Sequence, residues 1–351
     1  MNVIQKRDIE KFACALNKSS KTVIVTHMKP DGDAIGSTTA LYHYIKATTG
    51  ADVRIALNDA PQRCLTFLTE GAISKNILIF SEKAEETTRA ITTADLIICM
   101  DFNAFHRTDK LCGPLESSSA TKVLIDHHLH PEREPFDIIF SQTEISSASE
   151  LLYQILMAMP GIDADASRLP LETATALMTG MTTDTNNFAN SVYPSTLIMA
   201  STLLAAGVNR DNILEKLYNQ HSENRLRLMG HMMKDLLVTK QEGATYIVLD
   251  KKTQEAYNTQ DGDTEGFVNM PLSISDIRIS ILIREDTDRL RVSIRSKKGT
   301  SANRCARLYF NGGGHENAAG GKLEIPITEA AGYIEKHVHE FLKEEDEKSI
   351  S

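Results

Sequence analysis

The chain has 351 residues, 41% hydrophobic and 24% charged, a composition typical of a soluble globular protein with more than one domain. Its formal net charge of −9 argues against binding of long duplex nucleic acid, because proteins of that class are normally basic. The five cysteines form no CxxC pair, no stretch has the roughly 18–20 apolar residues of a membrane span, and the N-terminus lacks a signal peptide's apolar core. These features predict a cytoplasmic protein with reduced thiols and no membrane partner.

Short apolar runs alternate with helix-like segments over the first half of the chain. Strands are predicted at 22–26, 52–57, 76–80, 95–100, 122–125 and 137–140. Segments such as AIGSTTALYHYIKA and SASELLYQILMAM have the pattern of helices between strands. Continuous apolar strands alternating with helices indicate a mainly parallel sheet covered on both faces. The predicted fold of this part is therefore a doubly wound α/β domain.

The second half of the chain has a different pattern. Residues 213–237 lack proline and repeat apolar residues at helical spacing, which predicts either a long helix between two domains or the last helix of the first domain. YIVLD, IRISILIRE and RLRVSIRS then predict strands, and helical patterns follow around SANRCARLYF and near the C-terminus. We predict three regions: an α/β domain over 1–212, a helical linker over 213–238, and a smaller α+β domain over 239–351.

Acidic and histidine side chains follow three of the predicted strands and one helical pattern. The candidate residues are His27, Asp31, Asp33, Asp101, Asp126, His127, His128 and Asp184. Any single aspartate among them is more typical of a turn or a helix cap. Because ligands of doubly wound sheets bind outside the carboxyl ends of the strands, we expect these side chains to lie together. Carboxylates and imidazoles without thiolates suit Mn²⁺ or Mg²⁺, so the pattern predicts a metal site.

Several segments carry a resemblance to a known family. THMKPDGDAIGS, DFNAFHR, IDHH and TTDT resemble, in this order, the four motifs of the DHH phosphoesterase superfamily. NGGGHENAAGG, with EGFVNMP and VSIRS before it, resembles the DHH-associated domain of one subfamily. The resemblance covers nearly the whole chain. It implies that 1–212 is the DHH phosphoesterase domain and 239–351 a substrate-binding domain, with the active site in the cleft between them.

The resemblance implies two divalent cations, with Mn²⁺ expected before Mg²⁺, that activate water for attack on a phosphoester. The two implied ligand sets are His27, Asp31 and Asp101, and Asp33, Asp101, His127 and Asp184. Asp101 would bridge the two ions. Asp126 is expected behind the first histidine of its motif, His127, where it would fix the ring. His128 is expected to face the substrate, so the catalytic residues implied are Asp101, Asp126 and His128.

A second group of residues is implied to bind substrate. Its members are Arg107, Arg295, Gly312, Gly313, Gly314 and His315. Consecutive glycines allow backbone amides to approach an anion, and a guanidinium binds phosphate with two hydrogen bonds. Two residues depart from the family pattern, since relatives usually have glycine where this chain has Asn311 and often where it has Asn186. Asparagine tolerates left-handed backbone better than most residues, and neither change removes a metal ligand.

The two-domain layout without an added nucleic-acid-binding domain resembles the nanoRNase branch of the superfamily. That branch hydrolyses very short oligoribonucleotides, such as dinucleotides, to mononucleotides and often dephosphorylates 3′-phosphoadenosine 5′-phosphate. Cyclic or linear dinucleotide phosphodiesterases, of the cyclic di-AMP type, share the layout and stay an alternative. A catalytically inactive nucleotide sensor is the alternative from another class, and a broken ligand set would mark it. The implied partners are these short substrates, and a homodimer is left open.

Overall fold

The computed structural model describes residues 4–240, 243–260 and 262–350, and it divides into two compact units, Met1–Gln220 and His221–Ser351. The strands of the first unit are β1 Lys21–Thr26, β2 Asp52–Leu57, β3 Ile77–Ile79, β4 Leu96–Met100, β5 Thr121–Asp126 and β6 Ile138–Ser141. They form one sheet in the order β3-β2-β1-β4-β5-β6, and every pair is parallel. The doubly wound sheet predicted from the apolar runs is therefore confirmed.

Both faces of this sheet are covered by helices. The α-helices of the first unit are α1 Lys6–Lys18, α2 Gly32–Thr48, α3 Phe80–Thr92, α4 Cys112–Ser117, α5 Ala148–Met157, α6 Leu171–Asp184, α7 Pro194–Ala205 and α8 Arg210–Tyr218. Short 3₁₀ helices lie at Arg63–Leu68, Gly71–Asn76, Phe105–Leu111 and Ala166–Arg168. In β1, Ile24 joins the core on one face, whereas Val23 and Val25 join the core on the other. Burial on both faces explains why three consecutive residues of the strand, Val23, Ile24 and Val25, are apolar.

The helix α2 is buried along most of its length, because it packs between the sheet and two further helices, α5 and α6. The approach of α2 to α6 depends on two glycines. A Cβ on Gly36 would lie 2.7 Å from the Cα of Gly180, and a Cβ on Gly180 would lie 2.8 Å from Oδ1 of Asp33. Close packing of these helices therefore brings the start of α2 near the end of α6.

The single long helix predicted over 213–237 is wrong. Helix α8 ends at Tyr218, a new helix α9 spans Glu223–His231, and a π-helical turn follows at Met232–Leu236. The Ser222 hydroxyl accepts a hydrogen bond from the Arg225 amide at 3.1 Å and so caps α9. The division between the two units falls in the break before this cap.

The second unit contains a mixed sheet. Its strands are β7 Val238–Lys240, β8 Ala244–Leu249, β9 Ile279–Glu285, β10 Leu290–Ser296, β11 Gly313–His315 and β12 Ala318–Leu323, in the order β11-β12-β10-β9-β8-β7. Among these described strands, only β8 and β9 pair in parallel. The remaining helices are α10 Lys251–Ala256, α11 Ala302–Tyr309, α12 Ile327–Ile350 and the 3₁₀ segment Phe267–Ser273. The glycine-rich segment 311–321 contains β11 and the first part of β12.

Each unit has its own hydrophobic core. In the second unit, alternate residues of β10 such as Val292 and Ile294 pack with Phe310 and Phe341. The residues between them are less buried, so one face of β10 is partly exposed. No helix within 4–240, 243–260 and 262–350 is both long enough and apolar enough to cross a membrane.

Candidate metal centre

The polar residues at the strand ends come from the three adjacent strands β1, β4 and β5. His27 follows β1, Asp101 follows β4, and His127 follows β5. Between β1 and β4 the chain order of the sheet reverses, which is where doubly wound sheets bind ligands. Asp101 has a left-handed backbone with φ of 62°, and its amide donates to the carbonyl of Ile125 at 3.0 Å. This bond fixes the end of β4 to β5.

Helix termini position the other carboxylates. Asp31 caps α2, because its side chain accepts from the amides of Asp33 and Ala34 at 3.1 and 3.0 Å. Asp33 lies in the first turn of α2 and accepts from the amides of Ala148 and Ser149, at 2.6 and 2.9 Å. Those amides belong to the first turn of α5, where the positive end of the helix dipole favours a carboxylate. Asp33 is therefore held rigidly and faces the cluster from a buried position.

The first group of candidate ligands is His27, Asp31 and Asp101. Nε2 of His27 lies 3.8 Å from Oδ2 of Asp31 and 3.6 Å from Oδ2 of Asp101. Nδ1 of His27 donates to the carbonyl of Met28 at 2.8 Å, so Nε2 is the nitrogen that faces the carboxylates. One ligand atom from each of the three residues lies within 4.8 Å of the others.

The second group is Asp33, His127 and Asp184, the last of which ends α6. Nε2 of His127 lies 4.0 Å from Oδ2 of Asp33 and 3.5 Å from Oδ2 of Asp184. The same nitrogen lies 3.4 Å from Oδ1 of Asp101. The two oxygens of Asp101 therefore face different groups, Oδ2 the group of His27 and Oδ1 the group of His127.

The donor atoms of the centre fit divalent cations. Oδ1 of Asp101 is buried and accepts no hydrogen bond from any residue within the described ranges. A buried carboxylate oxygen without a donor is costly unless a cation compensates it. Four carboxylates and two imidazoles, without sulfur, form an oxygen- and nitrogen-rich set of the kind that suits Mn²⁺ or Mg²⁺.

The electrostatics of the two histidines reflect the surrounding carboxylates. Burial lowers the pKa of His27, but its close contact with Asp101 and the charges of Asp101 and Asp31 outweigh burial and raise the pKa to about 9. Burial also lowers the pKa of His127, but Asp101, Asp184 and Asp33 outweigh it and raise the pKa to about 10. Both rings thus hold protons at neutral pH when no cation is present.

The carboxylates respond in opposite directions. Burial, together with the charge of Asp101, raises the pKa of Asp33 to about 7. Burial and the charge of Asp33 raise the pKa of Asp184 to about 8. Burial also tends to raise the pKa of Asp101, but the adjacent His127 and His27 outweigh it and hold the pKa well below the usual range. Without cations, the centre therefore binds protons, whose positive charge offsets the negative charge of the carboxylates.

The predicted partner of Asp126 requires a correction. The prediction places Asp126 behind His127, but its Oδ1 lies 2.7 Å from Nδ1 of His128, and its Oδ2 accepts from the His128 amide at 3.2 Å. Asp126 is fully buried at the end of β5, so it holds the second histidine ring in one orientation. Because the Asp126 carboxylate is an acceptor, Nδ1 of His128 carries the proton, and Nε2 is the ring nitrogen farther from Asp126.

Arg107 lies in the 3₁₀ segment after β4. Its carbonyl accepts from the amide of Met28 at 2.8 Å, which joins this segment to the residue after His27. Its side chain is half-buried and has no hydrogen bond or ion pair with any residue of the described ranges. The Arg107 guanidinium therefore has no partner among the described residues, on a segment whose backbone contacts the residue after His27.

The remaining predicted substrate residues belong to the second unit. Arg295 of β10 pairs with Ala318 of β12, which pairs with His315 of β11, so the three backbones form one row. Nη1 of Arg295 donates to the carbonyl of Ile294 at 2.9 Å. Burial lowers the pKa of the Arg295 guanidinium. The side chain of His315 lies outside what the structure describes, so its predicted contact with substrate stays a prediction.

Packing or backbone geometry requires glycine at two of the three positions of the GGG segment, Gly312 and Gly314. A Cβ on Gly312 would lie 1.9 Å from the carbonyl oxygen of Gly320, and Gly314 has a φ of 150°. A Cβ on Gly313 would meet only a side-chain carbon of Arg307, at 3.9 Å, so this position is open. Whether the amides of these glycines bind an anion stays a prediction.

Both departures from the family pattern are asparagines with left-handed backbones. Asn311 and Asn186 each have a φ of 46°. Asparagine tolerates this region better than most residues other than glycine, so it fits the backbone at both positions.

Comparisons with known proteins identify both domains of the chain. The model of the DHH family, N-terminal domain, matches residues 21–181, and the model of the DHHA1 domain matches residues 243–346. The crystal structure of an exopolyphosphatase-related protein from Bacteroides fragilis is 37% identical, covers 99% of both chains and has a TM-score of 0.92. The chain belongs to the DHH family. The resemblance to the DHH superfamily and to the DHH-associated domain is thereby confirmed.

Two further comparisons give the extent of the likeness. The bifunctional oligoribonuclease and PAP phosphatase NrnA of Bacillus subtilis is 28% identical over 307 residues, which are 86% of this chain and 88% of the relative. A crystal structure of exonuclease RecJ bound to manganese is 17% identical, covers 98% of this chain and 95% of that chain, and has a TM-score of 0.56. The RecJ likeness shows a shared fold.

The sequence reasoning missed how this DHH protein holds Asp33. The amides of Ala148 and Ser149 that bind it belong to a helix that begins with SASE, residues 147–150. The Ser147 hydroxyl accepts from the Glu150 amide at 2.9 Å, and the Glu150 carboxylate accepts from the Ser146 amide at 3.2 Å. Serine followed three residues later by glutamate is a signal for a helix start. That signal locates the helix end, but it does not indicate which carboxylate the helix would bind.

Proposed function

We propose that the chain is a metal-dependent phosphodiesterase that hydrolyses very short oligoribonucleotides to mononucleotides and also dephosphorylates 3′-phosphoadenosine 5′-phosphate. The observation that carries the proposal is the pair of ligand groups on either side of Asp101, whose Oδ1 accepts no hydrogen bond from a described residue and lies 3.4 Å from Nε2 of His127. The named activity of the Bacillus subtilis relative, which aligns over 86% of this chain, supports the choice of substrate. The cytoplasm is the proposed location.

The proposed cofactor is a pair of divalent cations, with Mn²⁺ preferred to Mg²⁺. The residues that would hold them are His27, Asp31, Asp33, Asp101, His127 and Asp184. When bound, the cations would neutralise phosphate charge and make water a better nucleophile at neutral pH. The manganese complex of RecJ supports the choice of metal, on the strength of a shared fold.

The chain's own residues would then orient the substrate. Asp126 accepts from Nδ1 of His128 and so directs Nε2 toward a hydrogen bond with the scissile phosphate or the leaving oxygen. The guanidinium of Arg107, which has no partner in the described part of the chain, would bind a phosphate oxygen. In the second unit, Arg295, His315 and the amides of Gly312, Gly313 and Gly314 would bind a terminal nucleotide.

The proposal is tested by hydrolysis assays with Mn²⁺, with Mg²⁺ and after chelation. The substrates are a 5′-phosphorylated dinucleotide, a 20-mer RNA, 3′-phosphoadenosine 5′-phosphate and cyclic di-AMP. We expect metal-dependent turnover of the dinucleotide and of 3′-phosphoadenosine 5′-phosphate, with slow loss of the 20-mer. Preferential turnover of cyclic di-AMP would overturn the choice of substrate, and no turnover of any substrate with either metal would overturn the proposal as a whole.

A further inference from the structure

Two of the candidate centre's histidines are each followed by an exposed apolar residue. Leu129 follows His128 and is 65% exposed, the highest value for a large apolar side chain in the described part of the chain. Met28 follows His27 and is 43% exposed. Consecutive Cα atoms are about 3.8 Å apart, so each apolar side chain leaves the backbone next to an imidazole of the centre. Neither residue contributes to a hydrophobic core of the described residues.

Leu129 is held on a fixed backbone and does not belong to a frayed loop. Nδ2 of Asn103 donates to the Leu129 carbonyl at 2.8 Å. The amide of Glu132 donates to the Asn103 carbonyl at 2.8 Å, and the Glu132 carboxylate accepts from the Phe105 amide at 3.3 Å. Three hydrogen bonds therefore tie the loop after β5 to the segment after β4, and the isobutyl group of Leu129 stays exposed on that support.

Met28 is fixed in a comparable way. Its amide donates to the carbonyl of Arg107, and its carbonyl accepts from Nδ1 of His27, both at 2.8 Å. The same segment after β4, from Asn103 to Arg107, therefore supports the backbones of both apolar residues. The guanidinium without a partner in the described ranges, that of Arg107, belongs to this segment as well.

Leu129 and Met28 are exposed apolar residues beside a cationic residue, Arg107, and a polar centre, and this combination suits one kind of ligand. A nucleotide has a flat apolar base and an anionic phosphate, and bases are commonly bound by burial against apolar side chains. Orthophosphate or a phosphorylated sugar has no surface that would use Leu129 or Met28. A thioether is flexible and polarisable, and it adapts to an aromatic ring.

We propose that Leu129 and Met28 are the base-binding residues of the first unit, which contact the nucleobases on either side of the scissile phosphate. The inference rests on the proposed function and extends it, because it predicts a preference for nucleotide esters over phosphoesters without a base. These two residues determine specificity and bind no metal. Apolar contact with the base is made equally in the bound substrate and in the transition state, so it contributes to KM and leaves kcat unchanged.

The test compares two substrates of equal length and charge: a 5′-phosphorylated diadenylate, and an analogue in which both riboses carry no base. Leu129→Ala should raise the KM for diadenylate about tenfold with kcat within about twofold, the scale of losing a few methyl groups from a binding contact. Met28→Ala should act in the same direction. For the base-free analogue, the KM of each variant should equal that of the unmodified protein, because no base is present to contact.

Two further variants sharpen the comparison. Leu129→Phe keeps an apolar surface and should restore the KM for diadenylate to within about twofold of the original. Leu197→Ala removes a leucine of α7 that is 53% exposed and lies outside the candidate centre, so it should leave the KM for both substrates unchanged.

The outcomes separate the inference from the function on which it rests. If the unmodified protein does not hydrolyse diadenylate, the proposed function fails. If it does, and Leu129→Ala has the same KM as Leu197→Ala, the base contact is refuted while the function stands. An equal rise in KM for the base-free analogue would also refute it, since the effect would then be a distortion of the loop that carries His128.

Discussion

Asp101 combines three properties that rarely occur in one residue. It is 2% exposed, it has a left-handed backbone, and its Oδ1 accepts no hydrogen bond from the residues that the structure describes. A carboxylate in such a place is unfavourable in a protein without cations, because burial penalises its charge. The two histidines at 3.4 and 3.6 Å compensate it in their protonated form. Cations would take over that role and release the protons.

The first prediction concerns this residue. Asp101→Asn keeps the size and the left-handed backbone, so the fold should be retained, while the loss of one negative charge between the two ligand groups should abolish metal-dependent turnover. We expect a loss of about a thousandfold or more, as for other essential members of a catalytic set. Asp109→Asn is the matched control, because Asp109 is exposed and also has positive φ, of 51°. Metal titration and assays of both variants are the measurement, and retained turnover in Asp101→Asn would exclude the bridging role.

The affinity of the centre for Mn²⁺ should depend on pH. The pKa values of His27 and His127 are raised to about 9 and about 10, and those of Asp33 and Asp184 to about 7 and about 8. At neutral pH the cation-free centre therefore binds protons that Mn²⁺ must displace. Raising the pH removes these competitors, so metal affinity should rise between about pH 6 and 9, by about tenfold per pH unit for each proton displaced.

Calorimetric titration with Mn²⁺ in buffers of different ionisation enthalpy measures this proton release directly. A metal affinity that does not change with pH over this range would show that the ligands are already deprotonated without a cation.

At the scale of elements, the centre depends on how closely three helices approach one another. Helix α5 directs its first amides at Asp33, α2 carries Asp33 in its first turn, and α6 ends at Asp184. Gly180 lies where they meet, because a Cβ there would lie 2.0 Å from Oγ of Ser149. The glycine keeps the carboxylates of two helices within reach of one imidazole.

The third prediction follows from this packing. Gly180→Ala should lower the free energy of unfolding by about 1–3 kcal/mol through overpacking, although alanine favours the helix. It should also weaken metal binding, because Ser149 and Asp33 must move. Gly332→Ala in α12 is the matched control, since its Cβ would meet nothing within 4 Å and should stabilise the helix by about 0.5–1 kcal/mol. Urea unfolding of both variants, with and without Mn²⁺, is the measurement, and equal effects would refute the packing argument.

At the scale of the whole molecule, the two units have separate cores and separate sheets. All candidate metal ligands named above belong to the first unit, whereas Arg295 and the glycine-rich hairpin belong to the second. A ligand that binds only the native form of one unit stabilises that unit by mass action. The two units should therefore respond differently to metal and to nucleotide.

The fourth prediction uses that difference. In the full chain, Mn²⁺ should slow amide hydrogen exchange around 27–34, 100–104, 125–129 and 180–186, while β9 and β10 remain unchanged. Adding a nucleotide that is not hydrolysed, such as adenosine 5′-monophosphate, should then also slow exchange in β10 and in the hairpin of β11 and β12. Mass spectrometry of peptides resolves these segments. Protection by the metal alone in both units would contradict the assignment of all ligands to the first.

Much of this protein is determined by its sequence. Unbroken apolar runs form parallel strands because both faces of the sheet are buried, and parallel strands bring their carboxyl ends to one edge. The pattern of strands alone therefore assigns His27, Asp101 and His127 to one place. The four motifs resemble those of the family in sequence and in order, and this resemblance adds Asp31, Asp33 and Asp184 to the set.

Only the tertiary structure determined the contacts made across that edge. It showed that Asp126 holds His128 and not His127, a choice between two adjacent rings that local sequence does not reveal. It showed the break before α9, where a single serine cap outweighs a continuous helical pattern. It also showed the amides of α5 on Asp33, 115 residues away in the chain for Ala148. Sequence patterns report local preference and burial, whereas these contacts depend on where separate elements meet in space.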